Sequence, residues 1–167
     1  MPERMTPRQR VEATLNHQEP DRVPISLGGS ANHLTEQLYI KLRNYFGVED
    51  VPRRTLVGFY TTPDYNPVLD KLGTDFRFIH IRPPKQYIAN AMDDNFREFE
   101  DEWQLHHRLV SGYYDLAGAP LAKDLSISSI EKFPWPDPYD PDRMEGVKEE
   151  VEGLYHNTDF AIVAHRP

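Results

Sequence analysis

Phe76-Arg77-Phe78-Ile79-His80-Ile81, entered through Gly73-Thr74-Asp75 and closed by Pro83-Pro84, is the stretch on which the fold turns. β-Branched and aromatic residues in partial alternation between turn-forming residues predict a strand. Two further stretches have the same character. Val23-Pro24-Ile25-Ser26-Leu27 reads as a short buried strand, with Pro24 tolerable near its beginning. Phe160-Ala161-Ile162-Val163-Ala164, led in by Thr158-Asp159, reads as a third.

Helical patterns fill the spaces between them. Thr6-Pro7-Arg8-Gln9 is a capping box with proline at the first helical position, so a short surface helix is expected over about 7–16. Glu19-Pro20-Asp21-Arg22 reads as a turn. Leu34, Leu38, Leu42 and Tyr45 repeat at helical spacing and Gly47 follows, which predicts an amphipathic helix over about 34–46. Asn66-Pro67 opens a shorter helix that carries Val68, Leu69 and Leu72 and stops at Gly73. Ser128-Ser129-Ile130-Glu131 reads as a second capping box. A last helix is expected to start at Asp140 and Pro141, with Met144, Val147, Val151 and Leu154 as its apolar stripe. Strands that alternate with helices argue an α/β fold with parallel strands. Parallel sheets are covered on both faces, yet no helix follows the third strand, so the reading expects the first part of a larger fold.

The segment of about 85–122 departs from this rhythm. Phe99, Trp103, Leu105, Leu109, Tyr113 and Tyr114 sit among charged residues, with a turn at Ser111-Gly112. Antiparallel hairpin strands inserted between helical units are expected there. Downstream, Pro134-Trp135-Pro136-Asp137-Pro138-Tyr139-Asp140-Pro141 reads as a fixed extended connection.

Composition narrows the class. The chain has 167 residues, which suits one domain. No apolar run approaches the ~20 residues of a membrane helix, and no apolar stretch follows Met1-Pro2-Glu3-Arg4, so neither a membrane span nor a secretory signal is expected. The chain has no cysteine, so a disulfide scaffold, a thiolate metal site and a cysteine nucleophile are excluded within it. The formal charge is −8 and no basic block occurs, which argues against nucleic-acid binding. A cytoplasmic location is the default.

Several motifs in order resemble the uroporphyrinogen decarboxylase superfamily. They are Met5-Thr6-Pro7-Arg8-Gln9-Arg10-Val11, Asn16-His17-Gln18-Glu19-Pro20-Asp21-Arg22-Val23-Pro24-Ile25 and Leu72-Gly73-Thr74-Asp75-Phe76-Arg77. Asp101-Glu102-Trp103, Gly112-Tyr113-Tyr114-Asp115 and Pro120-Leu121-Ala122 resemble its hairpin insertion, and Phe133 to Pro138 with Asp140 to Arg143 the connection after it. The resemblance implies the N-terminal part of a (β/α)8 TIM barrel, one partial domain over 1–167 with about three βα units and the active site at the C-terminal strand ends. Decarboxylation of a porphyrinogen needs cationic donors for carboxylates. The family's decarboxylases place arginines on the first loop, in an Arg-Gln-Ala-Gly-Arg pattern. Here Leu27-Gly28-Gly29-Ser30-Ala31-Asn32-His33 holds none, and His80, Ile81 and Arg82 stand where those enzymes have a Ser-Asp pair. The expectation is therefore the methyltransferase-like branch, with methyl transfer involving a corrinoid protein and an isolated chain that is inactive. Uroporphyrinogen decarboxylation is the alternative within the family. That branch uses zinc to activate a thiol, through ligands in a C-terminal half; no metal site and no cofactor are expected within this chain.

The substrate-binding candidates are the residues at the expected C-terminal strand ends. Gly28, Gly29, Asn32 and His33 share the first loop, His80 and Arg82 follow the second strand, and His165 with Arg166 follows the third. Glycines let backbone approach a ligand, or simply allow a turn with positive φ. His33 can work as an acid, base or donor, and Arg82 can clamp an anion; each is equally at home as a surface residue. His106 and His107 are adjacent, so on a strand they face opposite ways and one pocket cannot easily use both for a metal. Asp75, at the strand's other end, reads as a turn or cap residue. Glu98, Glu100, Asp101 and Glu102 read as a charged hairpin face. A reading from another class is a non-catalytic protein that binds a partner through Trp103, Tyr113 and Tyr114, or associates with itself through open sheet edges.

Overall fold

A computed structural model describes residues 4–29, 32, 34–49, 55–57, 60–62, 66–82, 84, 98–111 and 113–164. The chain divides into two compact units. The first comprises Met1–Arg53, Thr62–Ile81 and Met144–Pro167; the second comprises Arg54–Thr61 and Arg82–Arg143.

The first unit begins with α1 (Pro7–Leu15). Its capping box forms as expected: the Gln9 amide donates to Thr6 Oγ1, and the Thr6 amide to the Gln9 side chain. The helix is a surface helix with one buried face. Arg10, Val11 and Ala13 are buried while Leu15 is exposed. Arg8 ties α1 to the far end of the chain, because its guanidinium donates to the carbonyls of Tyr155, Thr158 and Phe160.

Residues 23–27 run beside the chain at Asp75 but join no sheet, and Val23 is 80% exposed. The expected first strand is thus an extended segment. Pro24 has no N–H to give, and the Ile25 amide is taken by the Asp75 carboxylate (2.7 Å) instead of a neighbouring carbonyl. Among the described residues, only the Asp75 amide, donating to the Ile25 carbonyl (2.8 Å), makes a backbone link of the kind a ladder would repeat.

α2 (Glu36–Phe46) is capped by Thr35, whose hydroxyl accepts from the Leu38 amide, and ends at Gly47 in the left-handed conformation. Its inward residues differ from the expected stripe. Leu38 and Tyr45 are exposed, and Tyr39, Leu42 and Phe46 face the core. β1 (Thr55–Val57) and β2 (Tyr60–Thr62) pair with each other and, up to Thr61, belong to the second unit. α3 (Asn66–Lys71) supplies Val68 and Leu69, which with Leu34 and Tyr39 form the buried centre. β3 (Phe76–Ile79) then pairs in parallel with the last strand, Phe76 opposite Ala161 and Ile79 opposite Ala164.

The second unit holds the insertion. β4 (Glu98–Glu100), β5 (His106–Val110) and β6 (Tyr113–Gly118) form an antiparallel sheet in that order, with a turn at Ser111. Residues 85–97 and Gly112, part of the expected insertion, lie outside the described residues, as does the side chain of Tyr113. Phe99 packs against the His107 and Tyr114 rings, centroids 4.7 and 5.1 Å apart. A 3-10 turn (Pro120–Lys123) leads to α4 (Ile127–Lys132). Ser126, two residues before the expected cap, takes the Ser129 amide, because the Asp124 carboxylate accepts from the Ser126 amide (2.9 Å) and fixes it there.

Pro141–Met144 forms a separate 3-10 turn, so Asp140 and Pro141 do not start the last helix. Gly146 at φ 71° breaks the run, and α5 (Val147–Asn157) begins after it, back in the first unit. Val147 is its buried residue; Met144 is exposed and outside the helix. α5 packs on β3 and on β7 (Ala161–Ala164), which it precedes. The sheets of the described residues have two, two and three strands. The architecture is mixed α/β with small sheets, and no barrel closes among the described residues. None of their helices is long and apolar enough to cross a membrane.

Candidate functional site

The most strongly built polar site lies where β3 begins. Asp75 is fully buried, and its carboxylate receives four donors. Arg10 Nη1 (2.5 Å) and Arg22 Nη2 (2.9 Å) reach Oδ1; Arg22 Nη1 (2.7 Å) and the Ile25 amide (2.7 Å) reach Oδ2. Arg10, itself 2% exposed, also grips Asp21 through Nε (2.5 Å) and Nη2 (2.8 Å) and gives a further bond to the Met5 carbonyl. Two arginines and two aspartates thus neutralise one another. Burial pushes the Asp75 carboxyl up, but the bonds from Arg22, Ile25 and Arg10 outweigh it and hold the group below its ordinary range. Asp21, bonded chiefly by Arg10, is lowered from 3.8 to about 2.

This chemistry is that of a fastener. An ionised carboxylate has about four lone-pair sites, and all of Asp75's are occupied, so it has none left for a substrate proton. The expectation that Asp75 is a turn or cap residue is overturned. Sequence reasoning also missed Arg10, Asp21 and Arg22. The available signal was an aspartate directly before a strand together with an Asp-Arg pair in a turn, but their partners lie 65 and 53 positions away.

The other end of β3 carries the expected substrate loop. Gly28 adopts φ +100° and its amide donates to the Asn32 carbonyl; the Asn32 amide donates to the Gly29 carbonyl. A Cβ on Gly29 would stand 2.8 and 2.9 Å from two ring carbons of Phe78, so this glycine is required by close packing on β3. Asn32 gives its side-chain amide to the Ser26 carbonyl (2.9 Å) and braces the loop. Gly28, Gly29 and Asn32 are therefore brought together, and each has a structural task. His33, His165 and Arg166 lie outside the described residues.

β3 ends at Ile79, so His80 and Arg82 do not share a strand face as expected. His80 follows β3 in the first unit. Arg82 is exposed in the second unit, where its amide donates to the Arg143 carbonyl (3.0 Å).

Two features stand out in the second unit. Asp101 Oδ1 accepts the Trp103 and Leu105 amides, both at 2.9 Å, and its Oδ2 holds His107 Nε2 at 2.8 Å. His107 is buried while His106 is partly exposed and meets Glu98, in keeping with opposite faces. The expected charged face is more than a solvated run, since Glu102 forms an ion pair with Arg143, itself nearly buried. The second feature is an apolar cleft of about 190 Å³ between Trp103, Leu105, Pro120, Leu121, Phe133 and Trp135.

Among the described residues, no three of His, Asp and Glu are grouped so as to hold a metal ion. Comparison with protein-family models, curated proteins and solved structures gives no match.

Proposed function

We propose that this chain is the N-terminal part of a barrel enzyme of the uroporphyrinogen decarboxylase superfamily, in its methyltransferase-like branch. The observation that carries the reading is the convergence on Asp75. Arg10, the pair Asp21 and Arg22, and Asp75 itself come from three of the motifs that bear the resemblance, and they meet at one buried cluster. The cluster sits at the start of a strand that pairs in parallel. In such barrels that end carries stability and the opposite end carries chemistry. The motifs are then signatures of a framework. At the opposite end of β3, the first loop has a Gly28-Gly29 pair and no arginine, which disfavours a polycarboxylate substrate.

In this reading the substrate is a small molecule or the methyl group of a corrinoid protein, the zinc that activates the thiol is held by residues outside this chain, and the enzyme is cytoplasmic. The test is to assay the enzyme that contains this chain for methyl transfer from a methylated corrinoid protein to a thiol. Uroporphyrinogen decarboxylation is measured in parallel. Methyl transfer is expected; uroporphyrinogen turnover without it overturns the reading. A second reading, a non-catalytic binding protein, is favoured by the half-exposed Trp103 and Trp135.

A further inference from the structure

We propose that the aromatic cleft of the second unit binds a quaternary ammonium group. Its walls are rings set steeply to one another. Trp103 and Trp135 have centroids 6.3 Å apart at 70°, and Phe133 meets Trp135 at 4.7 Å and 67°. A methylated cation seated in such an angle lies within about 6 Å of more than one ring, the range in which the negative π-faces attract it. Trp103 is 48% and Trp135 52% exposed, so both rings are open to a ligand.

The chemistry of the walls selects among ligands. Trp135 already donates its indole N–H to the Ile130 carbonyl (3.0 Å), so it offers a ring and no donor. Leu105, Ala119, Pro120 and Leu121 add only hydrocarbon side chains. A sugar or other polyol would leave its hydroxyls unpaired against these side chains. Two acidic residues are bonded to the backbone of the cleft. Asp101 is bonded to the amides of Trp103 and Leu105, two residues of the cleft, and the Asp124 amide donates to the carbonyl of Leu121, a third. The Asp124 carboxyl is bonded by Ser129 and Ser126. Those bonds, Ser129's first, hold it below its ordinary range and keep it charged at neutral pH. The protein as a whole carries −8. A quaternary ammonium group fits this, because it needs no hydrogen-bond acceptor, packs its methyls on apolar walls and brings positive charge to a protein of net negative charge.

Choline and its neutral isostere 3,3-dimethylbutan-1-ol separate the cation from its shape. Tryptophan fluorescence and calorimetry on the intact protein are expected to show saturable choline binding, with the isostere about tenfold weaker. Trp135→Leu and Trp103→Leu should each weaken choline by about fivefold, while Trp135→Phe keeps part of the affinity. Circular dichroism identifies any variant that fails to fold, and the comparison of the two probes on the unsubstituted protein stands without the variants. Equal binding of choline and the isostere overturns the proposal, and so does the absence of a saturable choline signal.

Discussion

Asp75→Ala is the most informative single change. It removes one partner from a buried ion cluster, a loss that typically costs about 3–5 kcal/mol because charges are left uncompensated. The two arginines respond differently. The Arg22 side chain is 38% exposed and can turn to water. Arg10, at 3%, cannot, but it retains Asp21. The expected loss therefore lies at the low end, about 3 kcal/mol. With a urea slope of about 2 kcal/mol/M, the unfolding midpoint falls by roughly 1.5 M. Circular dichroism through a urea titration reads this directly. Asp75→Asn keeps an acceptor for the Ile25 amide and should lose less. In double-mutant cycles, the coupling of Asp75 to Arg10 should exceed its coupling to Arg22, since the first pair is the drier. A midpoint shift below about 0.3 M for Asp75→Ala, or the reverse order of couplings, refutes the picture of a buried fastener.

Three further outcomes follow from the same geometry. Gly29→Ala should destabilise by about 1–3 kcal/mol through overlap with the Phe78 ring, and Phe78→Leu in the same chain should recover part of it, read by thermal melting. Stability should be lost on acidification between about pH 4 and pH 2. Asp21 titrates near 2 in the folded protein against 3.8 ordinarily, and Asp75 is also lowered, so their contribution is complete above the ordinary value and disappears as pH falls through the folded one. Acid titration of the circular dichroism signal checks the window; a protein equally stable at pH 4 and pH 2 would contradict it. Asp101→Ala should cost about 2 kcal/mol, because two amides and the buried His107 lose their common acceptor, and hydrogen exchange should speed up first at the amides of Trp103 and Leu105.

Local chemistry was legible in the sequence, and long-range chemistry was not. Thr6 with Gln9, and Gly73 after α3, act within a few residues, and each does what its pattern announces. The parallel strands at 76–79 and 161–164 and the hairpin turn at Ser111 were equally readable, because strand composition and turn residues report on themselves. The segment 23–27 was misread because its apolar content says nothing of where its N–H groups go. Helix faces failed in the same way: Leu38 fits the period as well as Leu42, yet only contact with Val68 and Leu69 decides which turns inward. Of the candidate site, the glycines were found but their reason was not. Gly29 is needed by Phe78, 49 positions on, a neighbour that spacing cannot reveal.

The first unit is closed by its two extremes, since Arg8 on α1 bonds the Phe160 carbonyl 152 positions later. This sets a schedule on the ribosome. At ~5–20 residues per second, α1 emerges roughly 8–30 s before the segment it must fasten. The hairpin of β5 and β6 needs only near neighbours and can close within microseconds of leaving the exit tunnel. During synthesis, the later part of the chain is therefore ready before the earlier part.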